Sequence, residues 1–288
     1  MNKQTIKEFL YQHHTPKSAE NYLFTINNFL KTHPKAKKHN YQKMVECIVE
    51  INTRYPNPQT RSRTISAIKR YYDYLVFTGQ RNDHPCKTLT AKKKGEHSIQ
   101  AQDLFSTEEL ESLMQRENRY KNLDIRNKVL ISLLIYQGLT SDEILRLEID
   151  NIDLEACTVY VKASSKLNRR TLPLKANQVR LFDSYINQVR SEMIMIKTNR
   201  FIISKLGRPL STDGIGTVMD ILNPLFPDRV LNPRSIRMSV ISNCLNERKM
   251  PLEDVQRLAG HKWPSSTEKY YRVDSNQQRE LINRYFPL

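Results

Sequence analysis

The 288-residue sequence predicts a mainly α protein of two domains, the second carrying one small β-hairpin sheet. Three observations predict it. Apolar residues recur at helical spacing through most of the chain. A basic stretch near residues 84–103, with Pro85, Lys92-Lys93-Lys94 and Gly95, interrupts that spacing. Only "CTVYVK" and "RRTLPL" read as a pair of strands, joined by the turn "ASSKLN". The length suffices for two modest cores, and 39% hydrophobic content is enough to fold them. The expected division is a helical domain over 1–88, a basic linker over 89–103 and a larger domain over 104–288.

Residues 4–32 read as helix, with Tyr22, Ile26, Phe29 and Leu30 on one face. "RTISAIKRYYDYLVFTG" repeats the pattern with Ile65, Ile68, Tyr72, Leu75 and Val76, and stops at Gly79. Beyond the linker, Ser106 and Glu109 have the spacing of a capping box. "IRNKVLISLLIYQG" predicts a buried helix ending at Gly138, and "TSDEILRL" a short helix capped by Ser141. "FIIS" is a candidate third strand. Helices are then expected over 211–223, 233–248, 251–260, about 265–272 and 276–286.

Lysine and arginine exceed aspartate and glutamate by 16, and the excess is uneven. Residues 1–96 hold 18 cations against 7 anions, and the rest hold 28 against 23. Such an excess needs a polyanion: nucleic acid first, an anionic membrane surface as the rival. Arg61, Arg63, Lys69 and Arg70 occupy the polar side of one N-terminal helix. They read either as a solvated face or as phosphate contacts, as does the Lys92-Lys93-Lys94 run. The four cysteines are far apart, which fits reduced thiols in a cytoplasm rather than a disulfide framework. The first residues have no apolar core for a signal peptide, and "VLISLLIY" is too short for a bilayer span of about 20 residues. No phosphate-binding glycine loop occurs, "DGIGTVMD" fails the dinucleotide fingerprint, and the histidines have no zinc spacing. The acids of "SDEILRLEIDNIDLE" are not spaced to converge on metals. A soluble, cofactor-free protein is expected.

Chemistry concentrates in the last sixty residues. In "LNPRSIR", Arg234 and Arg237 share one face of a helix starting near Pro233. Its N-terminal dipole and two guanidinium forks suit a phosphate. "LAGHKWPSSTEKYY" follows. His261 sits just past a helix end at Gly260, as a C-capping side chain or as a site group. Tyr270 and Tyr271 point about 100° apart on a helix, so only one can face a site.

Here the sequence resembles the tyrosine recombinase (phage integrase) family, over nearly the whole chain. The resemblance includes the "SAENYLFTINNFL" helix, the "HPCKTL" and "LFSTEELESLM" segments flanking the linker, "GLTSDEILRLEIDNIDLE", "RRTLPL" and the C-terminal box. The family's leucine-glycine-histidine appears as "LAGH", with an alanine step in it. Its nucleophilic tyrosine lies nine residues after the histidine, which selects Tyr270 and leaves Tyr271 to the core. The resemblance implies a DNA core-binding domain and a catalytic domain forming a clamp around double-stranded DNA. It also implies four protomers acting on two sites, with a C-terminal tail docking into a neighbour. The implied chemistry is attack by tyrosine on a phosphodiester to give a 3′-phosphotyrosyl link, then religation to a second 5′-hydroxyl. Bond energy is conserved, so neither ATP nor metal is required. Arg237 and His261 would stabilise the phosphorane, and a hairpin lysine would protonate the leaving oxygen. Two positions depart from the family pattern. The first-box arginine is Thr140, and the second-box histidine is Arg234, which restores some positive charge. Arg146 lies six residues past Thr140, about 240° around a helix, and is a poor substitute. Counting back from "RRTLPL" puts the hairpin lysine at Ser165; Lys166, one step away, is the first choice and Lys162 the second. Trp263 is expected to pack behind the site.

Overall fold

The computed structural model describes residues 5–90 and 101–271, and the chain divides into two compact units, 1–97 and 98–288. In the first unit, the helix expected over 4–32 is two: α1 (Ile6–His13) and α2 (Pro16–Thr32). Proline explains the break. Pro16 is the first residue of α2, where its missing N–H costs nothing, and it holds Thr15 extended at ψ 149°. The sequence reading passed over α3 (Tyr41–Arg54), although Asn40 caps it and Met44, Cys47, Ile48 and Ile51 form a helical stripe. α4 (Pro58–Phe77) buries Ile65, Ile68, Tyr72 and Leu75, as expected, but leaves Val76 exposed next to the helix end, and Gly79 follows at φ +68°. Tyr72 is fully buried and donates to the Ala36 carbonyl at 2.8 Å, so its hydroxyl is satisfied.

The second unit is built around α6. Its helices begin with α5 (Thr107–Ser112), α6 (Lys121–Tyr136) and α7 (Ser141–Arg146). Ser106 and Glu109 make the expected capping box on α5. Val129, Leu130, Leu133 and Leu134 of α6 are fully buried, and Ile131 and Ile135 nearly so. A helix apolar on all sides belongs in a core. Each such aliphatic side chain contributes about 1.5–3 kcal/mol by burial. Thr140, not Ser141, caps α7: Ser141 is its first residue.

Three antiparallel strands follow: β1 (Ile152–Asp153), β2 (Thr158–Val161) and β3 (Arg170–Pro173). The hairpin register pairs Val159 with Leu172 and Val161 with Arg170. Alternation therefore turns Arg170 inward beside the core residues. The third strand is β1 rather than "FIIS". Phe201, Ile202 and Ile203 are buried, yet they make one isolated bridge, Ile203 to Pro209. Burial there satisfies the apolar run without a ladder.

The chain continues through α8 (Ala176–Ser184), a π-helical stretch (Tyr185–Arg190) and α9 (Ser191–Met193). α10 (Thr212–Leu222), α11 (Pro233–Asn246), α12 (Leu252–Ala259) and α13 (Ser265–Glu268) complete the described elements. α11 packs on α6, and its Ser239 and Asn243 hold the backbone of Phe105 at 2.9 Å each, fixing the start of the unit. The helix expected over 276–286 and Lys92, Lys93 and Lys94 lie outside the described residues. Among the described residues, no helix is long and apolar enough to cross a membrane.

Candidate active site

The site is assembled from the N-terminus of α7, the start of β3, the first turn of α11 and the segment after α12. Arg237 lies one turn into α11 and is buried. Its Nη1 donates to the Gly138 carbonyl and its Nη2 to the Ala259 carbonyl, both at 2.6 Å. One guanidinium thus ties the end of α6 to the end of α12. His261 follows Gly260, which ends α12 in the left-handed conformation at φ +70°. The His261 Nδ1 is 2.8 Å from the Thr267 hydroxyl. Its ring stacks near that of Tyr270, with centroids 6.3 Å apart and planes 16° from parallel.

Tyr270 is 9% exposed and Tyr271 is 48% exposed. This corrects the expectation that Tyr271 would be the core residue: the tyrosine that packs into the core is the one facing Arg237 and His261. The Tyr270 backbone is held by its own N–H to Thr267 and by Asn246 Nδ2 on its carbonyl at 2.9 Å. Trp263 is 70% exposed, so it does not pack behind the site.

Sequence reasoning missed two residues that the geometry makes central, Glu143 and Arg170. Glu143 accepts from the Thr140 N–H and hydroxyl at 2.9 Å each, and from Arg170 Nη1 at 2.6 Å. Arg237 Nη1 lies 3.9 Å away. The Arg170 and Glu143 side chains are 2% and 1% exposed. Arg170 also donates from Nε to the Leu258 carbonyl at 2.7 Å. The signals were present in the sequence. Thr140 to Glu143 is a capping-box spacing, and an arginine at an inward strand position must find a buried acid.

Burial and charge together set the protonation states. Burial alone would raise the Glu143 carboxyl, but the hydrogen bond and charge of Arg170, the Thr140 N–H and Arg237 outweigh it and hold it low. Burial pushes the Tyr270 phenol up, opposed by Arg237 and Arg234. Burial, then Arg237, Lys269 and Arg170, push the His261 imidazole down to about 4, against the pull of Glu143. At neutral pH His261 is an uncharged ring able to accept a proton.

That shift has a measurable consequence. An unfolded imidazole titrates at 6.5 and the folded one at about 4. Between those values the unfolded chain binds a proton that the folded chain does not, so stability falls as pH drops through the window. His261→Gln is expected to make the fall shallower in a series of melting curves between those pH values. An unchanged slope would remove His261 as its source.

The remaining sequence-predicted residues fall around this centre. Arg234 is exposed near the N-terminus of α11, close enough for its charge to act on Tyr270. Lys166 is exposed in the β2–β3 turn, and that turn meets the histidine segment. Leu167 bridges to His261, and Asn168 N–H donates to the Gly260 carbonyl at 2.8 Å. Lys162 is paired with Glu148. Lys262 Nζ lies 2.9 Å from the Ser165 carbonyl, an ammonium brought to the hairpin from outside it. Arg146 is engaged with Asp142 at 2.8 Å and faces the Ala163 carbonyl. In the first unit, Arg63 is exposed, Arg61 reaches the Pro56 carbonyl, Lys69 the Lys87 carbonyl and Arg70 the Asp73 carboxylate. An exposed pair such as Arg70–Asp73 is worth about 0–1 kcal/mol.

Residues 104–277 match the sequence model of the phage integrase family. The chain is 26% identical over 249 residues to the tyrosine recombinase XerD of Staphylococcus haemolyticus, covering 85% of this chain and 82% of that one. Its fold resembles that of the XerH site-specific recombinase bound to a palindromic difH substrate in a post-cleavage complex. There the TM-score is 0.73 and the identity 18%, over 92% of this chain and 79% of that one. A lambda integrase dimer bound to a core site aligns with a TM-score of 0.66 at 16% identity, over 92% of each chain.

Proposed function

The chain belongs to the phage integrase family, and on that premise we propose that it is a site-specific DNA recombinase working through a 3′-phosphotyrosyl intermediate. The observation that carries the proposal is the meeting of Tyr270, His261 and Arg237 in one buried corner. The Tyr270 oxygen attacks a backbone phosphorus and the bond to the 5′-oxygen breaks. His261, neutral at pH 7, accepts the phenol proton. Arg237 and the exposed Arg234 carry the charge that grows on the phosphorane oxygens, where oriented donors are most effective. Lys166 hands a proton to the departing 5′-oxygen, the role for which Lys162 is less available because Glu148 holds it. A second 5′-hydroxyl then attacks the phosphotyrosine and releases the enzyme, so the exchange consumes neither cofactor nor metal.

In this reading the two units clamp double-stranded DNA. Arg61, Arg63, Lys69 and Arg70 of α4, with Lys92, Lys93 and Lys94 of the linker, take the phosphates. Protomers assemble on DNA, four to a pair of sites, in the cytoplasm. A second reading is a DNA-binding relative that does not cleave, acting as an architectural or regulatory factor. One observation favours it: Thr140, at the family's first arginine position, spends its hydroxyl proton on Glu143.

The test is a nicked suicide duplex taken from the DNA flanking the gene, after a mobility shift has shown binding. A denaturation-resistant adduct with the wild-type protein is expected. Tight binding without an adduct would move the non-cleaving reading ahead.

A further inference from the structure

Thr140 leaves the site short of a cation, and the buried charges around it show where the deficit is met. Arg237 alone stands beside a carboxylate, Glu143, that could cancel it. Glu143 is instead engaged on both oxygens, one by Arg170 and the other by Thr140. Arg237 stays 3.9 Å off and spends its forks on backbone carbonyls. Two guanidinium groups against one carboxylate leave one net positive charge in the corner. Without Arg170 that sum is zero.

The same side chain sets geometry. Arg170 and Arg237 hold consecutive carbonyls, Leu258 and Ala259, at the C-terminus of α12, where cations are favoured. Gly260 lies directly against Arg170: a Cβ on it would be 2.5 Å from Nη1. Asn168 and Leu167 then pair with Gly260 and His261. The start of β3 and the turn leading into it thereby fix the backbone from which His261 projects.

We propose that Arg170 is a positioning residue that compensates for Thr140, neutralising Glu143 so that the charge of Arg237 is left uncancelled toward the phosphate and locking the α12 terminus that aims His261. It does so from beneath the surface, its side chain 2% exposed. The cleavage arm of the test rests on the recombinase reading; the histidine arm does not.

The groups facing His261 are Arg237 from α11, Arg170 from β3, Glu143 from α7, and Lys269 and Tyr270 after α13. In Arg170→Gln, only Arg237 is left to oppose Glu143. The His261 titration, followed by NMR of the imidazole protons, should move up from about 4 toward 6.5. Adduct formation on the suicide duplex should slow by about 10- to 100-fold, with binding in the mobility shift unchanged. Arg170→Lys should recover part of the rate at most, because a single ammonium cannot hold Glu143 and the Leu258 carbonyl in one fork. The double variant Arg170→Gln/Glu143→Gln removes both charges, leaves the Arg237 charge uncancelled, and should return the titration and much of the rate. It also carries the test if Arg170→Gln alone does not fold. A folded Arg170→Gln with a wild-type His261 titration and rate overturns the proposal. So does a folded double variant whose His261 titration stays raised. If wild-type protein forms no adduct, the recombinase reading fails, and the titrations still decide what Arg170 does to His261.

Discussion

In the suicide-duplex assay, Tyr270→Phe is expected to abolish the covalent adduct while Tyr271→Phe retains it. The substitution deletes one oxygen. If that oxygen is the nucleophile, no geometry elsewhere can restore the bond, and the loss exceeds about a thousandfold. The two side chains make the comparison sharp, because they are neighbours in sequence and opposites in environment. Tyr270 is 9% exposed against the core, beside His261 and under the field of Arg237 and Arg234. Tyr271 is 48% exposed. Phenylalanine keeps the ring packing of Tyr270, so binding in a mobility shift should persist, separating loss of chemistry from loss of fold. An adduct that survives Tyr270→Phe and disappears in Tyr271→Phe would transfer the role to the exposed residue.

The family spacing from His261 singles out Tyr270, but the burial of the two tyrosines was not legible. A one-turn helix, α13, has too few residues to show an apolar stripe, so its neighbours could only be assigned by analogy. Longer elements spoke more clearly. α4 and α6 carry their apolar spacing over four or more turns, and the structure buries the residues that spacing picked except Val76. The failures have local physical causes. A proline at the start of α2 split a pattern that looked continuous. "FIIS" is apolar enough for a strand, but one isolated bridge without a continuous ladder leaves it as loop. Trp263 is large and apolar, and nothing in its own sequence said it would face outward. Glu143 and Arg170 were hidden for another reason. They are 27 positions apart, and only the strand register and the cap of α7 bring them together. Pairs of buried opposite charges become visible when the topology is known, whereas a capping box can be read three residues at a time.

Gly260→Ala tests how tightly that pair is built into the site, and the control is Gly79→Ala. Both glycines hold a left-handed backbone, φ +70° and +68°. A Cβ in that conformation costs about 1–2 kcal/mol at either position. At Gly79 the added methyl meets nothing within 4 Å, so the cost stops there. At Gly260 it lies 2.5 Å from Arg170 Nη1 and 3.1 Å from the Asn168 carbonyl. An exposed arginine would swing away, but this one is pinned by Leu258 and Glu143 and has a 2% exposed side chain. Displacing it breaks a buried ion pair, which costs roughly 3–5 kcal/mol. Against a typical stability of about 5–15 kcal/mol, that is enough to unfold much of the population. Urea denaturation followed by circular dichroism should therefore show a far larger loss for Gly260→Ala than for Gly79→Ala. Asparagine separates the two causes, because it tolerates the left-handed backbone better than alanine while still carrying a Cβ. Gly79→Asn should be nearly neutral and Gly260→Asn as damaging as the alanine. Equal losses at the two glycines would mean that Arg170 can move freely, and that the buried pair does not hold the histidine segment in place.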